Sequence, residues 1–423
     1  MRKLLLLVLD GMGDRPLTEL GGRTPLEAAQ TPLLDEFARG GQQGQMSTVA
    51  PDIAPESDAA VMSLLGYDVN EYYTGRGPLE ALGAGLDMRD GDLAWRANLA
   101  TAESGELVDR RVARSLGDSD GRELAAAIQK DVHLPGASIQ FVQTSNYHAC
   151  VVIRSTSGPL SSDVDNADPG YRRYGRFSVA VPAAPTGMVG ARPLASNEAA
   201  QRAAELTNSF IEQASEILDQ HPVNQRRRDF GFLPGNCVLL RDAGDRVPRL
   251  PAFSEVHGIR MGAVVDMPVE RALAQLTGMQ VATLARATGD PQRDFNEWAL
   301  RTDEVLAEMD GAYVHIKAPD IPSHDGDIDA KRLALEAIDR LYLGRLGELL
   351  DLNSLLICVT ADHATPVSLR AHSNDPVPVL VHGVGEPDGA GPFGESSAAR
   401  GNFGYVMGFE LMPRLAQLVR AGG

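Results

Sequence analysis

Residues 4–14 read LLLLVLDGMGD, and this stretch decides the predicted fold. An apolar run leads directly into an acidic residue, and the same order returns in GAYVHIKAPD at 311–320 and in SLLICVTADH at 354–363. A short apolar run that ends in this way is typical of a buried parallel strand that meets its loop in an α/β sheet. Because parallel strands end at one edge of a sheet, the three acidic residues are predicted to lie close together.

Helical patterns separate these runs, so the sequence predicts an α/β fold with a mostly parallel sheet and helices on both faces. Between about residues 93 and 241 the chain changes to β-rich pieces and to loops rich in Gly, Pro, Asp and Ser. We therefore expect a discontinuous core formed by 1–88 and 245–423, with a smaller inserted α+β domain at 89–244. Within the insert, residues 160–187 are predicted to form a long irregular loop, which is usually functional inside a compact domain.

The charge balance restricts the classes of partner. The chain has 423 residues with 39 Lys and Arg against 57 Asp and Glu, a formal net charge of −18. Nucleic acids and anionic membranes are bound by concentrated Lys and Arg, so neither is expected as a partner. A small anionic substrate held by a local group of arginines remains compatible with this charge.

The N-terminal run and the cysteines indicate the compartment. Leu4–Leu9 is shorter than the core of a signal peptide and ends at an aspartate without a small-residue cleavage site, so it is interpreted as a strand. Cys150, Cys237 and Cys358 lie far apart and show no CxxC spacing. These features favour a reducing compartment and a cytoplasmic protein.

Acidic and imidazole side chains follow the predicted strands. Asp320 and His324 are four residues apart, Asp362 and His363 are adjacent, and His372 lies nearby in the sequence. Oxygen and nitrogen ligands of this kind suit Mn²⁺ or Zn²⁺. Taken singly, an aspartate after a strand is more often a turn former or a helix cap, but the joint pattern favours a metal site.

Ser57 in APESDAAVMSLLGYD precedes a helical pattern that begins near Asp58. A serine at this point is often only an N-cap. The same position also places a hydroxyl beside the positive end of a helix, where a phosphoryl group is stabilised. Ser57 is therefore a candidate nucleophile, provided that a metal ion binds its hydroxyl and makes the alkoxide available near neutral pH.

Several arginines stand out from the acidic background, and planar guanidinium groups bind carboxylate and phosphate bidentately. Surface salt bridges are the alternative, and they account for most arginines in most proteins. The arginines that stand out are Arg76, Arg96, Arg110, Arg111, Arg227 and Arg241.

Six segments together resemble the archaeal-type cofactor-independent phosphoglycerate mutases of the alkaline phosphatase superfamily. They are LDGMGDRPLTELGGRTPLEAAQTP, PESDAAVMSLLGYD, YYTGRGPLEALGAGL, HPVNQRRRDFGFLPGN, HIKAPDIPSHDGD and VTADHATPVSLRAHSNDPVPVLV. The resemblance covers nearly the whole chain. It implies an alkaline-phosphatase-like core with two divalent metal ions (Mn, Zn, Co or Mg), no 2,3-bisphosphoglycerate, and an inserted domain that binds the substrate.

The resemblance also implies the reaction and the residues. Ser57 would take the phosphoryl group from 3-phosphoglycerate and return it to the 2-hydroxyl, with Lys317 and Arg76 near the phosphoryl group. One metal ion would be held by Asp10, Ser57, Asp362 and His363, and the other by Asp320, His324 and His372. The substrate would be contacted in the insert by His148, Asp168, Arg227 and Arg241.

The chain departs from the family pattern mainly on the substrate side. Glu56 stands before the nucleophile where glycine is usual, and Asp242 replaces another glycine. Asn166 and Gly170 replace the first Asp and the His of a DTDPH-like signature, and Tyr147 replaces an arginine. The departures predict weak mutase activity.

Other activities remain open on the sequence alone. They are a metal-dependent phosphatase, a phosphonate-processing enzyme and a small-alcohol phosphotransferase of the same superfamily, and, from another class, a non-catalytic binding protein. The sequence also leaves open whether the chain forms a homo-oligomer.

Overall fold

The computed structural model describes residues 2–181, 184–285 and 287–421. The chain forms two compact units. The first comprises Met1–Tyr72 and Leu250–Gly423, and the second comprises Tyr73–Arg249. The domain boundaries at 88/89 and 244/245 stay a prediction.

Fifteen strands and sixteen α-helices are present in the described ranges. The strands are β1 (Leu4–Leu9), β2 (Gly41–Ser47), β3 (Leu93–Glu103), β4 (Glu106–Asp109), β5 (Ala137–Ser145), β6 (His148–Ser155), β7 (Tyr171–Tyr174), β8 (Phe177–Ala180), β9 (Cys237–Gly244), β10 (Met261–Val264), β11 (Gln280–Val281), β12 (Gly311–Ile316), β13 (Leu356–Thr360), β14 (Val377–His382) and β15 (Gly404–Met407). The helices are α1 (Pro25–Ala28), α2 (Pro32–Arg39), α3 (Ser57–Leu64), α4 (Val69–Tyr72), α5 (Arg76–Gly83), α6 (Asp118–Asp131), α7 (Glu198–Gln220), α8 (Pro222–Asp229), α9 (Phe253–His257), α10 (Pro268–Leu276), α11 (Pro291–Glu308), α12 (Asp320–Asp325), α13 (Ile328–Ala337), α14 (Gly344–Leu349), α15 (Glu395–Ala398) and α16 (Gly408–Ala421). Short 3₁₀ turns occur at Thr18–Leu20, Val112–Arg114 and Leu352–Ser354, and a π-helical turn at Ile338–Leu343 joins α13 to α14.

The first unit is built on an eight-stranded sheet with the order β11-β10-β12-β1-β13-β14-β2-β15. The five strands from β11 to β13 run parallel, whereas β14 is antiparallel to both of its neighbours. Every residue of β1 is fully buried, because helices cover both faces of a sheet of this kind. The predicted α/β class with a mostly parallel sheet flanked by helices is therefore confirmed.

Two sets of helices pack on this sheet. One set contains α3, α10 and α16: α3 contacts the other two helices, α10 packs on β10, and α16 packs on β13. The other contains α2 and α11, which pack on β2, β10, β12 and β14 and on the π-helical turn. No helix in the described ranges is long and apolar enough to cross a membrane.

The second unit contains a five-stranded antiparallel sheet. Its order is β4-β3-β6-β5, with β9 paired to β3. Trp95, Phe141 and Phe210 lie in one hydrophobic core between this sheet and the helices α6 and α7. The unit therefore combines helices with an antiparallel sheet.

A hairpin replaces part of the predicted irregular loop at 160–187. β7 and β8 pair antiparallel around Gly175, whose φ of +59° is suited to glycine in a two-residue hairpin turn. The prediction of irregular structure throughout was wrong, because a short alternating segment on either side of a glycine is sufficient for a hairpin. Pro182 and Ala183 lie outside the described residues.

A fully buried lysine joins the loops that follow β1 and β13. The Lys331 ammonium lies 2.8 Å from Asp14 Oδ2 and donates to the carbonyls of Gly11, Gly13 and Thr365. Its side chain and that of Asp14 are both inaccessible to solvent. Since these loops also carry the predicted metal ligands, Lys331 fixes the distance between them.

Substitution of Lys331 tests this role. We expect Lys331→Met to lower the free energy of unfolding by about 3–5 kcal/mol, since Asp14 would be left buried without its cation. Chemical denaturation of the variant measures the loss. The double variant Lys331→Met/Asp14→Asn is the control and should recover part of it; equal stability of Lys331→Met and the parent chain would contradict the interpretation.

Glu395 makes stability depend on pH. Burial raises the pKa of Glu395 from 4.5 to about 7, although its oxygens accept hydrogen bonds from Thr24 Oγ1 and from the Asp14 amide. Between these two pH values the folded chain binds more protons than the unfolded chain, so this group lowers stability as the pH rises. Glu395→Gln should therefore be more stable than the parent chain by about 3 kcal/mol at pH 8 and by much less at pH 5. Urea unfolding at both pH values measures the difference, and a constant difference would contradict it.

Candidate functional site

Helix α3 begins at Ser57, and its N-cap is Glu56. Ser57 is thus the first residue of the helix and not its cap, which corrects the expectation that the helix begins near Asp58. The hydroxyl of Ser57 lies 3.3 Å from His363 Nε2 in a buried environment. The helix therefore presents this hydroxyl to the loop that follows β13.

Three side chains surround this point. Asp10 Oδ1 and Asp362 Oδ2 lie 3.4 Å and 3.2 Å from His363 Nε2. The other oxygen of each aspartate is already bonded: Asp10 Oδ2 accepts from Lys317, and Asp362 Oδ1 accepts from backbone amides. The two oxygens that face His363 are buried and have no hydrogen-bond partner among the described residues.

The site thus brings together two unpartnered carboxylate oxygens, an imidazole nitrogen and a hydroxyl. These four atoms are close enough to be ligands of one metal ion. Leaving such oxygens buried without a partner is costly, and a divalent cation would satisfy both of them. Oxygen and imidazole ligands suit Mn²⁺ and Zn²⁺. This donor set fits a metal ion.

A second group forms around Asp320. Its Oδ1 lies 3.4 Å from His324 Nε2 and 3.9 Å from His372 Nε2. The rings of His363 and His372 stack at 3.7 Å, so the second group is continuous with the first. All seven predicted ligands are therefore brought to one edge of the sheet, and their role as ligands stays a prediction.

The three histidines share one arrangement. In each ring Nδ1 is bonded to an oxygen: the Thr365 hydroxyl for His363, the Arg370 carbonyl for His324, and the Pro55 carbonyl for His372. An acceptor at Nδ1 holds the proton there and leaves the Nε2 lone pair directed at the carboxylates. Histidines that bind metal ions are oriented in this way.

The electrostatics favour neutral imidazoles beside ionised carboxylates. Burial lowers the pKa of both His363 and His372, with His363 adding to the effect on His372. Burial opposes ionisation of Asp320, but Lys317 outweighs it and holds the Asp320 pKa well below its usual range. Burial raises the pKa of Asp362 to about 6, and the nearby Asp10 charge adds to that shift. Neutral imidazoles and ionised carboxylates are the forms that bind a divalent ion, and Asp362 is the exception because its raised pKa opposes ionisation.

Lys317 acts as the local cation. Its ammonium lies 2.8 Å from Asp10 Oδ2 and 3.1 Å from Asp320 Oδ2. Burial alone would lower the Lys317 pKa, but these two carboxylates raise it well above its ordinary value. The predicted basic residue thus lies between the two groups.

Gly11 is the position where close approach requires glycine. Its φ is +65°, and a Cβ there would lie 2.7 Å from Asp320 Oδ1 and from Thr365 Oγ1. Any side chain would push the loop after β1 away from the second group.

Three residues of this region were missed by the sequence reasoning: Thr365, His315 and Glu270. Thr365 Oγ1 donates to Asp320 Oδ1 at 3.0 Å and also contacts His363. Its position two residues after His363 could have identified Thr365 from the sequence. Asp10, Glu270 and His315 form a further buried group that could hold a metal ion. Glu270 carried no signal, because an acidic residue in the first turn of a helix is common.

Metal removal should destabilise the protein. We expect saturating Mn²⁺ to raise the free energy of unfolding of metal-free protein by about 2.7 kcal/mol when the free ion is near 100 times Kd. Calorimetry with and without Mn²⁺ measures this. His363→Ala should lose most of the gain, whereas the exposed His133→Ala should keep it; an identical gain in both variants would contradict the assignment.

The second unit carries a cluster of charged side chains on one face of its sheet. On the central strand β3, Arg96 lies opposite Arg241 of β9 and Cys150 of β6, and Asn98 lies opposite His148. Residues two apart on a strand share a face, so the sequence places these side chains together. Helix α5 packs against all three strands.

Asp168 is the centre of one half of this cluster. Its oxygens form a two-pronged ion pair with Arg110 at 2.5 Å and 2.6 Å, and Oδ2 lies 3.6 Å from Arg241 Nη1. Both guanidinium groups also lie over the ring of Tyr171, at 5.2 Å and 4.0 Å from its centroid. One buried carboxylate thus faces two cations.

Glu80 of α5 is the centre of the other half. Arg76 Nε donates to Glu80 Oε1 at 2.9 Å, and Arg96 Nε lies 3.5 Å from the same oxygen. Burial alone would raise the pKa of Glu80, but Arg76 and Arg96 lower it below its usual value. Arg76 belongs to the second unit, and its predicted place near the phosphoryl group stays a prediction.

The two remaining predicted residues lie in different surroundings. His148 Nδ1 lies 3.1 Å from Asn98 Oδ1 on the cluster's face of the sheet. Arg227 instead donates to the Leu233 carbonyl and to the Ser115 hydroxyl, and its guanidinium lies over Phe232. These contacts hold α8 to the loop before α6.

Three of the departures from the family pattern, at positions 166, 170 and 242, lie around Arg110 and Arg241. Asn166 Oδ1 accepts from the amide of Asp242, which has a φ of +63°, and Asp242 in turn accepts from Arg241 Nε at 3.2 Å. A Cβ on Gly170 would lie 1.6 Å from Arg110 Nη1. Glycine at 170 therefore makes room for the arginine that binds Asp168. The expectation of weak activity stays a prediction.

The chain is similar over nearly its whole length to known proteins. The family described as 2,3-bisphosphoglycerate-independent phosphoglycerate mutase matches residues 38–224. Proteins of that name from Aeropyrum pernix and Thermococcus kodakarensis are 40% and 37% identical to this chain, covering 99% of it and 99% and 97% of their own lengths. A cofactor-independent phosphoglycerate mutase from Thermoplasma acidophilum shares the structure with 34% identity and a TM-score of 0.62, covering 99% of this chain and all of that one. A structure from Pyrococcus horikoshii gives 31% identity and a TM-score of 0.78, covering 99% and 97%.

The fold and the site define an α/β protein with a candidate divalent-metal centre at the carboxyl edge of its main sheet. The family follows from the sequence identity to the relatives, which extends over nearly the whole chain. The chain belongs to the family of 2,3-bisphosphoglycerate-independent phosphoglycerate mutases.

Proposed function

We propose that this protein interconverts 3-phosphoglycerate and 2-phosphoglycerate through a phosphoserine at Ser57, with two divalent metal ions and without 2,3-bisphosphoglycerate. The observation that carries the proposal is the position of the Ser57 hydroxyl. It begins helix α3 and lies 3.3 Å from His363 Nε2, beside the two unpartnered carboxylate oxygens. Family membership supports the choice of substrate.

The reaction requires two transfers. In the first, Ser57 Oγ loses its proton and forms a bond to phosphorus while the bond to the 3-oxygen breaks, and that oxygen takes up a proton. In the second, the 2-hydroxyl loses its proton and forms a bond to phosphorus while the bond to Ser57 Oγ breaks, and Ser57 Oγ takes up a proton. Bound divalent ions would stabilise the serine alkoxide and the charge on the phosphoryl oxygens.

The chain's own residues assist both transfers. The amide groups at the start of α3 and the positive end of the helix favour an anionic phosphoryl group at Ser57. Lys317 supplies a fixed positive charge between Asp10 and Asp320. His148 and Asp168 remain the proposed groups for substrate contact or proton transfer.

The charged cluster of the second unit suits the carboxylate of the substrate. Arg110 and Arg241 both face Asp168 and both lie over Tyr171, so their guanidinium planes are held before any ligand binds. Preorganised arginines bind carboxylates with little loss of side-chain entropy. Arg227 is proposed as a substrate residue only because of the resemblance to the family.

Phosphorus NMR tests the reaction. Protein loaded with Mn²⁺ should convert 3-phosphoglycerate into the 2-isomer without release of inorganic phosphate, and Ser57→Ala should lower turnover by roughly 10³-fold or more. Ser63→Ala, a buried serine of the same helix, is the control and should keep activity. Release of free phosphate would favour the phosphatase alternative, and full activity in Ser57→Ala would refute the phosphoserine.

Steady-state kinetics test the carboxylate site. Arg241→Met should reduce kcat/KM for 3-phosphoglycerate by roughly 10–100-fold, the usual value of a charged hydrogen bond. Arg192→Met removes an exposed arginine paired only at the surface with Asp165, and it should have no effect. Equal kcat/KM values in the two variants would show that Arg241 does not bind the substrate.

A further inference from the structure

We propose that Asp10, Glu270 and His315 form a third divalent-cation site, which adjoins the group around His363 and shares Asp10 with it. Each of the three residues offers one ligand atom, and these atoms lie within 4.8 Å of one another. All three side chains are buried. The proposal concerns residues that the phosphoryl transfer proposed above does not use, apart from Asp10.

The topology explains why these residues meet. Asp10 follows β1, and His315 lies near the end of β12, the neighbour of β1 in the sheet. Glu270 lies in the first turn of α10, the helix that follows β10, and β10 is the other neighbour of β12. The ligands therefore come from three adjacent strand ends. Asp362 and His363 follow β13, on the opposite side of β1, and Asp362 Oδ2 lies 3.9 Å from His315 Nε2.

Glu270 gives an independent indication of a ligand. Its Oε2 is buried and has no hydrogen-bond partner among the described residues. The whole residue is only 3% exposed. A buried carboxylate oxygen without a partner is costly, and coordination to a cation would remove that cost.

His315 has the same arrangement as the three histidines of the main site. Its Nδ1 lies 2.8 Å from the Tyr313 hydroxyl, and its Nε2 is directed at Asp10 Oδ2 at 3.3 Å. A distance of this size between two donor atoms is that of neighbouring ligands around one ion with bonds of about 2.0–2.2 Å. The oxygen at Nδ1 is the partner that a ligating histidine requires.

Asp10 can serve both sites because its two oxygens face different groups. Oδ1 is the unpartnered atom near His363, whereas Oδ2 faces His315 and also accepts from Lys317. A carboxylate oxygen has two lone pairs, so Oδ2 can bind a cation and keep the lysine hydrogen bond. Asp10 would bridge two ions.

The donor set selects the class of ion. Two carboxylates and one imidazole suit Mn²⁺ or Zn²⁺, whereas Mg²⁺ prefers oxygen ligands and water. The alternative is that protonated His315 itself serves as the cation and that no ion enters. The two alternatives predict different metal contents.

Metal content measured at equilibrium tests the site. After dialysis against buffered Mn²⁺, elemental analysis should give three ions per chain for the parent protein and two for Glu270→Gln. Glu395→Gln is the control, since it neutralises another glutamate of the first unit whose pKa is also raised. It should keep three ions. Crystals of the Mn²⁺-loaded parent protein should show an anomalous peak bonded to Glu270 and His315.

The outcomes separate this proposal from the proposed function. The third site would be refuted if the parent protein and Glu270→Gln both bound two ions and no anomalous peak lay beside Glu270. The proposed two-metal reaction would not be affected by that result. Fewer than two ions in the parent protein would refute both proposals. If Glu270→Gln does not fold, the anomalous peaks of the parent protein decide the question.

Discussion

A carboxylate buried at the end of a wholly apolar strand is the constraint around which the first unit is arranged. Asp10 follows six residues that have no contact with solvent, and it is itself inaccessible. An isolated charge in such a place would be very costly. Lys317 and His315 therefore lie beside one oxygen, while the other faces His363 and has no partner among the described residues. The protein offsets the charge on one side of Asp10, and the other side is where the candidate metal ion would bind.

A second buried carboxylate beside the site, Asp14, is also paired with a lysine. Lys331 binds Asp14 and the carbonyls of the loops that flank the site. This second buried ion pair fixes the loops after β1 and β13 relative to each other. The positions of the candidate ligands thus depend on two lysines with different tasks. Lys317 neutralises the carboxylates, and Lys331 holds the backbone that carries them.

Much of this site could be predicted from the sequence, and the reason is topological. Apolar runs that end in aspartate identify β1, β12 and β13, and parallel strands must bring those ends together. Glu270 could not be found in this way, since its side chain reaches the group from a helix and its sequence context is ordinary. The hairpin at 171–180 was missed because its two strands have only four residues each. Short strands of this kind depend on the turn and on pairing more than on hydrophobic pattern.

On the substrate side, three departures from the family pattern are joined by contacts in the structure. Asn166, Gly170 and Asp242 were interpreted as separate losses, yet the structure joins them through Arg110 and Arg241. Loss of a side chain at 170 is what allows Arg110 to reach Asp168, and the carboxylate added at 242 pairs with the neighbouring arginine. Compensating changes of this kind preserve the balance of charge while altering which groups face a ligand. The property to compare between relatives is therefore the arrangement of cations around Asp168, and the identity of each residue matters only through its contribution to that arrangement.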